Sequence, residues 1–334
     1  MNGFCRDLIL TGVLTFVIPA LLLCAPKKAD NGDITIETTI EATIETTIET
    51  TIETVLQESI QETVTLLQTD GNVIEVELQE YVLCAVLKEM PASFETEALK
   101  AQSVVARTYA VKRKNSNPKH PEADLCTNSQ CCQGYSTVED YLQQGGKMVD
   151  VEKIQNAVND TLNEVLTYQN QLIDATYFSC SGGVTEDAKA VWGKDFPYLQ
   201  SVYSPGEEYA THFTDTVTFY FDDFQYLLGQ RLRGKPDSWI EDVSYNDSGS
   251  VDTITLNGIG YSGVEFRKKL GLRSTYFDIV ISDNCVVITT KGYGHRVGMS
   301  QYGADAMALA GNSYIEILKH YYTGVEVITY SHND

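Results

Sequence analysis

Basic residues are in short supply: 24 Lys and Arg stand against 46 Asp and Glu, for a formal net charge of −22. A surface of that sign cannot neutralise a row of phosphates, which excludes a protein that wraps nucleic acid. It equally excludes a polybasic grip on anionic lipid. Tryptophan is rare, with two residues against 20 Tyr and 11 Phe. No G-x-x-x-x-G-K-[ST] run occurs, so the phosphate cradle of a P-loop is missing. The absence of a G-x-S-x-G elbow argues against a serine triad built on Ser300 and His295. What is present is apolar material for a core. Of 334 residues, 43% are hydrophobic and 10% aromatic, which excludes a wholly disordered or collagen-like chain and allows one large body or two modest ones.

The ends of the chain differ in kind. Arg6 precedes a nearly unbroken apolar run from Leu8 to Ala25, and Lys27 and Lys28 follow it. The run is close to the minimum length for crossing a hydrocarbon layer of roughly 30 Å. Leu21-Leu22-Leu23 lacks the small residues of a signal-peptidase site, so an uncleaved single-pass anchor is the favoured reading over a cleaved signal. Either reading exports the rest of the chain. From Thr35 to Thr54 the tetrapeptide Thr-Ile-Glu-Thr recurs, with Ala42 the one variation. A period of four drifts by about 40° per unit on a helix, so no straight apolar stripe forms. We assign residues 1–28 to an anchor or signal segment, 29–62 to an acidic low-complexity spacer, and 63–334 to the folded body.

Within that body, Asn72–Val76 alternates as a strand, and Val82, Ala85, Val86 and Glu89 share one helical stripe. Pro91 interrupts, and Ser93 is the expected N-cap of a helix from Phe94 to Lys112 whose core face is Ala98, Ala101, Val105 and Tyr109. A helix over Val151–Leu162 leads to strands Val165–Tyr168 and Leu172–Phe178, paired around Gln169-Asn170. Further strands are expected at Val217–Tyr220, Val251–Leu256, Tyr276–Ile281 and Val286–Thr290, with helices at Ala304–Ala310 and Ser313–Tyr322. Helices and strands alternate without a βαβ rhythm, which points to an α+β fold of mixed helices and antiparallel strands.

Several residues carry chemistry. Glu89 continues an apolar stripe at a helix end, where lost solvation would keep a carboxyl protonated as a general acid; the pattern alone is also that of a surface glutamate. Lys100 and Arg107 lie two turns apart on one face of the next helix, either orienting an anionic group or forming a solvated edge. His120, Cys126, Cys131 and Cys132 form a His/Cys donor set for structural zinc, with a Cys126–Cys132 disulfide as the equal alternative. Cys84, Cys180 and Cys285 read as isolated buried thiols. A strand-end run, Tyr177 to Thr185, presents hydroxyls and glycines, and Gly292–Gly303 packs glycines around His295, Ser300, Gln301, Tyr293 and Tyr302, a composition suited to sugar.

Together, Glu89-Met90-Pro91 with Lys100 and Ala106-Arg107-Thr108-Tyr109, Ser179–Thr185 with Trp192-Gly193, and His295–Gly303 resemble the stage II sporulation protein D family from about Val73 onward. The resemblance implies a lytic transglycosylase that cuts peptidoglycan glycan strands during forespore engulfment, anchored in the mother-cell membrane with its body outside the cytoplasm. It implies Glu89 as the catalytic acid, and Lys100 and Arg107 as substrate-positioning residues. Tyr177, Ser179, Ser181, Gly183, His295, Gln301 and Tyr302 are the further substrate-binding candidates. Zn²⁺ on His120, Cys126 and Cys132 is implied too, with Cys131 where relatives often carry His. Arg296 stands where many relatives carry Gly. A wall amidase and a membrane scaffold are the implied partners. A non-catalytic wall-binding enhancer of an amidase is the alternative.

Overall fold

The computed structural model describes residues 62–116 and 119–331. The expected anchor and all but the last residue of the expected spacer lie outside the described residues, and among those described no helix is long and apolar enough to cross a membrane. The architecture is α+β, as the interspersed patterns predict.

Strands β1 (Thr63–Leu67) and β2 (Val73–Glu77) form an antiparallel hairpin, with Val64 opposite Val76. The chain turns directly into α1 (Leu78–Glu89), whose Val82, Ala85 and Val86 are buried as their spacing requires. Helix α2 spans Thr96–Asn115 and starts two residues later than expected. Phe94 closes a turn onto Pro91, and the extended Glu95 gives its N–H to Asp305 at 2.6 Å, so neither residue is free to open the helix. Ala98, Ala101 and Val105 are buried, but so are Leu99, Val104, Ala106, Ala110 and Val111. A helix apolar on nearly every side runs through a core rather than over it. Around α2 pack α1, α4 (Met148–Asp160) and β4 (Glu164–Tyr168). The C-terminal helices α8 (Gln301–Leu309) and α9 (Tyr314–Tyr321) complete the packing.

Gln169 and Asn170 both take positive φ, 52° and 62°, the two-residue turn that matches strand twist. The hairpin they close is shorter than expected: β4 pairs only with β5 (Gln171–Leu172) and, on its other side, with β14 (Glu326–Thr329). The remainder of the expected strand breaks away and re-forms as β6 (Tyr177–Phe178), which pairs in parallel with β13 (Met299–Ser300). β1 and the short β3 (Leu125–Cys126) are also parallel, so the expectation of antiparallel strands alone is corrected at these two places.

Residues 214–291 build a second apolar cluster around Phe224, Trp239, Ile254, Phe266 and Ile288. Two antiparallel sheets enclose it. One pairs β7 (Thr214–Tyr220) with β12 (Cys285–Lys291) and β11 (Phe277–Ile281); the other orders β8 (Ile240–Tyr245), β9 (Val251–Leu256) and β10 (Ile259–Ser262). Cys285 sits half-buried in β12 rather than in the core, which corrects that expectation, whereas Cys84 and Cys180 are buried thiols.

Candidate active site

A cavity of about 480 Å³ opens where α1 ends. Glu89, Tyr109, Cys132, Gln133, Tyr177, Ser179, Tyr293, His295 and Gln301 line it. The parallel β6–β13 pair creates this convergence, because it sets Tyr177-Phe178-Ser179 beside the start of α8.

Glu89 is half-buried at the last turn of α1. Burial raises its carboxyl above the usual carboxylate range; the Gly134 N–H, the Tyr177 hydroxyl and Lys88 oppose that shift only in part. Gly134 donates its backbone N–H to Glu89 Oε1, and Gln301 Nε2 donates to the Glu89 carbonyl at 2.9 Å. Tyr81 donates to Gln133 Oε1 at 2.9 Å, and Gln133 Nε2 donates to the Tyr177 hydroxyl at 3.2 Å. This chain of bonds fixes the wall beside the acid.

Gly134 gave no sequence signal, yet its place is specific. A Cβ there would lie 2.7 Å from Glu89 Oε1 and 2.8 Å from Lys88 Cγ. Gly134→Ala is expected to displace the carboxyl and cut turnover by about 10²-fold, with the circular dichroism spectrum unchanged.

The imidazole of His295 accepts at Nδ1 from the Val297 N–H at 3.1 Å, which leaves the ring proton on Nε2. Its centroid lies 5.8 Å from that of Phe178 and 5.3 Å from that of Trp192. Burial, together with the nearby Arg267 charge, pulls its pKa down to about 4, so the ring is neutral around pH 7. It is a hydrogen-bonding wall and not a cation. Ser300 caps α8, accepting from Gly303 N–H at 3.2 Å, so it is no nucleophile for that histidine.

The structure does not bring every expected residue to the cavity. Arg107 is fully buried: Nε and Nη2 donate to Gln79 Oε1 at 3.2 and 2.9 Å, Nη1 to the Glu164 carbonyl at 3.1 Å, and Nη2 to the Val158 carbonyl at 3.3 Å. Lys100 pairs with Glu97 and Asp160 at 3.1 and 3.0 Å, also away from the lining. Both are corrected from substrate contacts to ties between α2 and its neighbours. Arg107→Lys keeps the charge but leaves buried acceptors unmatched; it is expected to lower stability by about 1–3 kcal/mol in a thermal melt, without changing KM. Cations near the cavity include Lys88, whose charge acts on Glu89, Arg113, whose guanidinium lies 5.0 Å from the Tyr109 ring centroid, Arg267, whose charge acts on His295, and Arg273, whose guanidinium lies 5.0 Å from the Tyr293 ring centroid.

Ser179 and Gln301 line the cavity, whereas Ser181, Gly183 and Tyr302 do not. Ser181 is buried and bonds Glu207 through both its N–H (2.6 Å) and its hydroxyl (2.8 Å). Gly183 N–H folds back on Ser181 Oγ at 2.9 Å. Tyr302 packs edge-on against Phe94 at 4.9 Å. Arg296 has φ 65°, a left-handed conformation that suits glycine. Its guanidinium turns inward to Ser181 O (2.7 Å), Val184 O (2.6 Å), Ser250 Oγ (2.5 Å) and Glu186 (3.3 Å), joining the second cluster to the first and leaving His295 alone.

Behind the acid lies a donor cluster. One ligand atom from each of His120, Cys126, Cys131 and Cys132 falls within 4.8 Å of all the others, and both Cys131 Sγ and Cys132 Sγ are 3.5 Å from His120 Nε2. Ligands about 2.0–2.3 Å from a tetrahedral ion are separated by roughly 3.5–3.8 Å, so the donors fit a metal ion. All three cysteines are free thiols in this arrangement. Cys132 also lines the cavity, two residues before Gly134.

The fold and site therefore define an α+β protein with a lone half-buried acid in an aromatic cavity, backed by a His/Cys cluster able to hold a metal. Residues 68–168 match the family described as Stage II sporulation protein, a span that contains Glu89 and all four donors. Over 332 residues the chain is 37% identical to Stage II sporulation protein D of Bacillus amyloliquefaciens, covering 98% of this chain and 94% of that protein. It is 38% identical over 271 residues to Stage II sporulation protein D of Bacillus subtilis (strain 168), covering 79% and 78%. An amidase enhancer of the same strain is 30% identical over 301 residues, which cover 72% of this chain and 39% of that protein. The chain belongs to the stage II sporulation protein D family.

Proposed function

We propose that the protein is a lytic transglycosylase acting on peptide-stripped peptidoglycan strands during engulfment. The observation that carries this reading is that Glu89 is the one carboxylate among the described residues lining the cavity. Hydrolases that cut glycosidic bonds place a second carboxyl about 5–9.5 Å from the first; a transglycosylase needs one. Protonated Glu89 gives its proton to the O4 leaving oxygen as the C1–O4 bond between N-acetylmuramic acid and N-acetylglucosamine breaks. The resulting carboxylate takes the proton of the muramyl 6-hydroxyl while O6 bonds to C1. Glu89 ends protonated as it began, no water is consumed, and the products are a free 4-hydroxyl and a 1,6-anhydro ring. The raised carboxyl, the neutral His295 and the amide of Gln301 support binding of the hydroxyl and acetamido groups of a sugar beside that acid.

His120, Cys126, Cys131 and Cys132 would hold zinc. With four protein ligands the ion would be structural, stiffening the loop that delivers Gln133 and Gly134 to Glu89. Attachment to the mother-cell membrane through residues 1–28, and assembly with a wall amidase and a membrane scaffold, belong to the same proposal.

Mass analysis of products from purified, peptide-free glycan strands tests the reading: anhydro-muramyl ends are expected from the protein alone. Strands left intact, with a co-added amidase accelerated, would establish the enhancer role that the amidase enhancer relative carries in its name.

A further inference from the structure

Trp192 closes the short helix α5 (Ala188–Trp192), whose Asp187 cap accepts the Lys189 N–H at 2.7 Å and whose Gly193 turns the chain in a left-handed conformation. Ala188 is buried, but Trp192 keeps 40% of its surface exposed, with its ring edge-on to His295 at 5.3 Å. Tyr293, two residues before His295, is also 40% exposed and lines the cavity. Its orientation is fixed from the second cluster. Arg273 lies over its ring at 5.0 Å and is itself held by Asp215 Oδ2 at 2.8 Å, while His212 meets it edge-on at 5.3 Å. The other tryptophan, Trp239, is buried.

Leaving the largest apolar side chain in water forfeits its burial energy, and exposed aromatic surface beside a ligand cavity marks a place where a ligand covers it. Tyr177, Tyr293 and His295 line the cavity, and Trp192, outside the lining, is joined to them through its ring contact with His295. A β-linked pyranose presents its axial C–H groups as a flat apolar face and its hydroxyls at the rim. Rings of this kind match that surface.

We infer that Trp192 and Tyr293 form an aromatic subsite that stacks a pyranose ring of the glycan strand, beyond the bond presented to Glu89. This inference rests on the glycan-cleaving reading and extends it along the strand.

Because the chain has only two tryptophans, Trp192 is a built-in reporter. The full chain is titrated with a peptide-free disaccharide-repeat tetrasaccharide, following tryptophan emission and product release separately. Emission is expected to change saturably in wild type and in Trp239→Phe. Trp192→Ala is expected to raise KM by about tenfold, the size of one lost aromatic contact, with kcat little changed, while Trp192→Phe stays near wild type. An unchanged KM in a folded Trp192→Ala protein overturns the subsite. So does an emission change produced by a free stem peptide and not by the tetrasaccharide. Saturable emission without anhydro products would uphold the subsite and remove the transglycosylase reading, so the two fail separately.

Discussion

If Glu89 is the proposed acid, Glu89→Gln is expected to fold, to bind glycan and to release anhydro-muramyl ends at about 10⁻² to 10⁻⁴ of the wild-type rate, the factor that general acid–base catalysis supplies. Gln preserves the acceptor for the Gly134 N–H and the shape of the side chain, so only the transferable proton is lost. The same substitution makes a stability prediction of definite sign. Burial raises the Glu89 pKa in the folded state, so between its unfolded and folded values the native protein holds more protons than the unfolded chain. Native stability then falls as pH rises through that interval. Above the ordinary glutamate pKa the raised carboxyl is a cost that Gln lacks, so Glu89→Gln is expected to melt at or above wild type at pH 7 and to lose that advantage below about pH 4. Thermal melts across pH check this. In wild type the rate declines as pH rises past the raised pKa; an alkaline limb that persisted unchanged in Glu89→Asp would assign it to another group.

Glu89 was legible because its neighbours are local. Val82, Ala85 and Val86 lie within two turns of it, and helical periodicity alone puts them on one side. The donor cluster was legible for the same reason, since its four residues lie within one short loop whose residue types are those of a metal site. Periodicity does not report whether a face is covered. Lys100 and Arg107 do share a side of α2, but α2 is surrounded: Arg107 is a buried brace against Gln79, Val158 and Glu164, and Lys100 is held by Glu97 and Asp160. The rest of the cavity depends on pairings between distant segments. Tyr177 meets Met299 across the β6–β13 pair, and Gly134 meets Glu89 from the far side of α2. Gly134 and Gln133 act through contacts that no local pattern encodes. Ser181 failed as a sugar contact because Glu207, 26 residues on, takes both its donors.

Removal of the proposed metal is expected to have the second large effect. The loop from His120 to Gly134 contains only the two-residue strand β3, so its far end is fixed by the four donors and by the bonds of Gln133 to Tyr81 and Tyr177. Without an ion, three thiols crowd one another: burial, with the other cysteines adding to it, raises Cys126 to about 11, whereas at Cys131 burial is outweighed by Lys119 together with hydrogen bonds from Cys126 and Cys132, which hold it below its usual value. An ion that replaces those protons closes the cluster, and its binding free energy becomes stability of the loop. Cys132→Ser and Cys126→Ser are therefore expected to lose bound metal from about one ion per chain to near none by elemental analysis, and to lower the melting temperature. Turnover is expected to fall by about 10²-fold or more as the Gly134 N–H leaves Glu89. The α2 core is far less affected, so far-ultraviolet dichroism should retain its helical signal. Cd²⁺, which takes the same thiolates, is expected to restore turnover to a chelated sample as well as Zn²⁺ does. Recovery that tracked the Lewis acidity of the added ion would instead place the metal in the reaction itself.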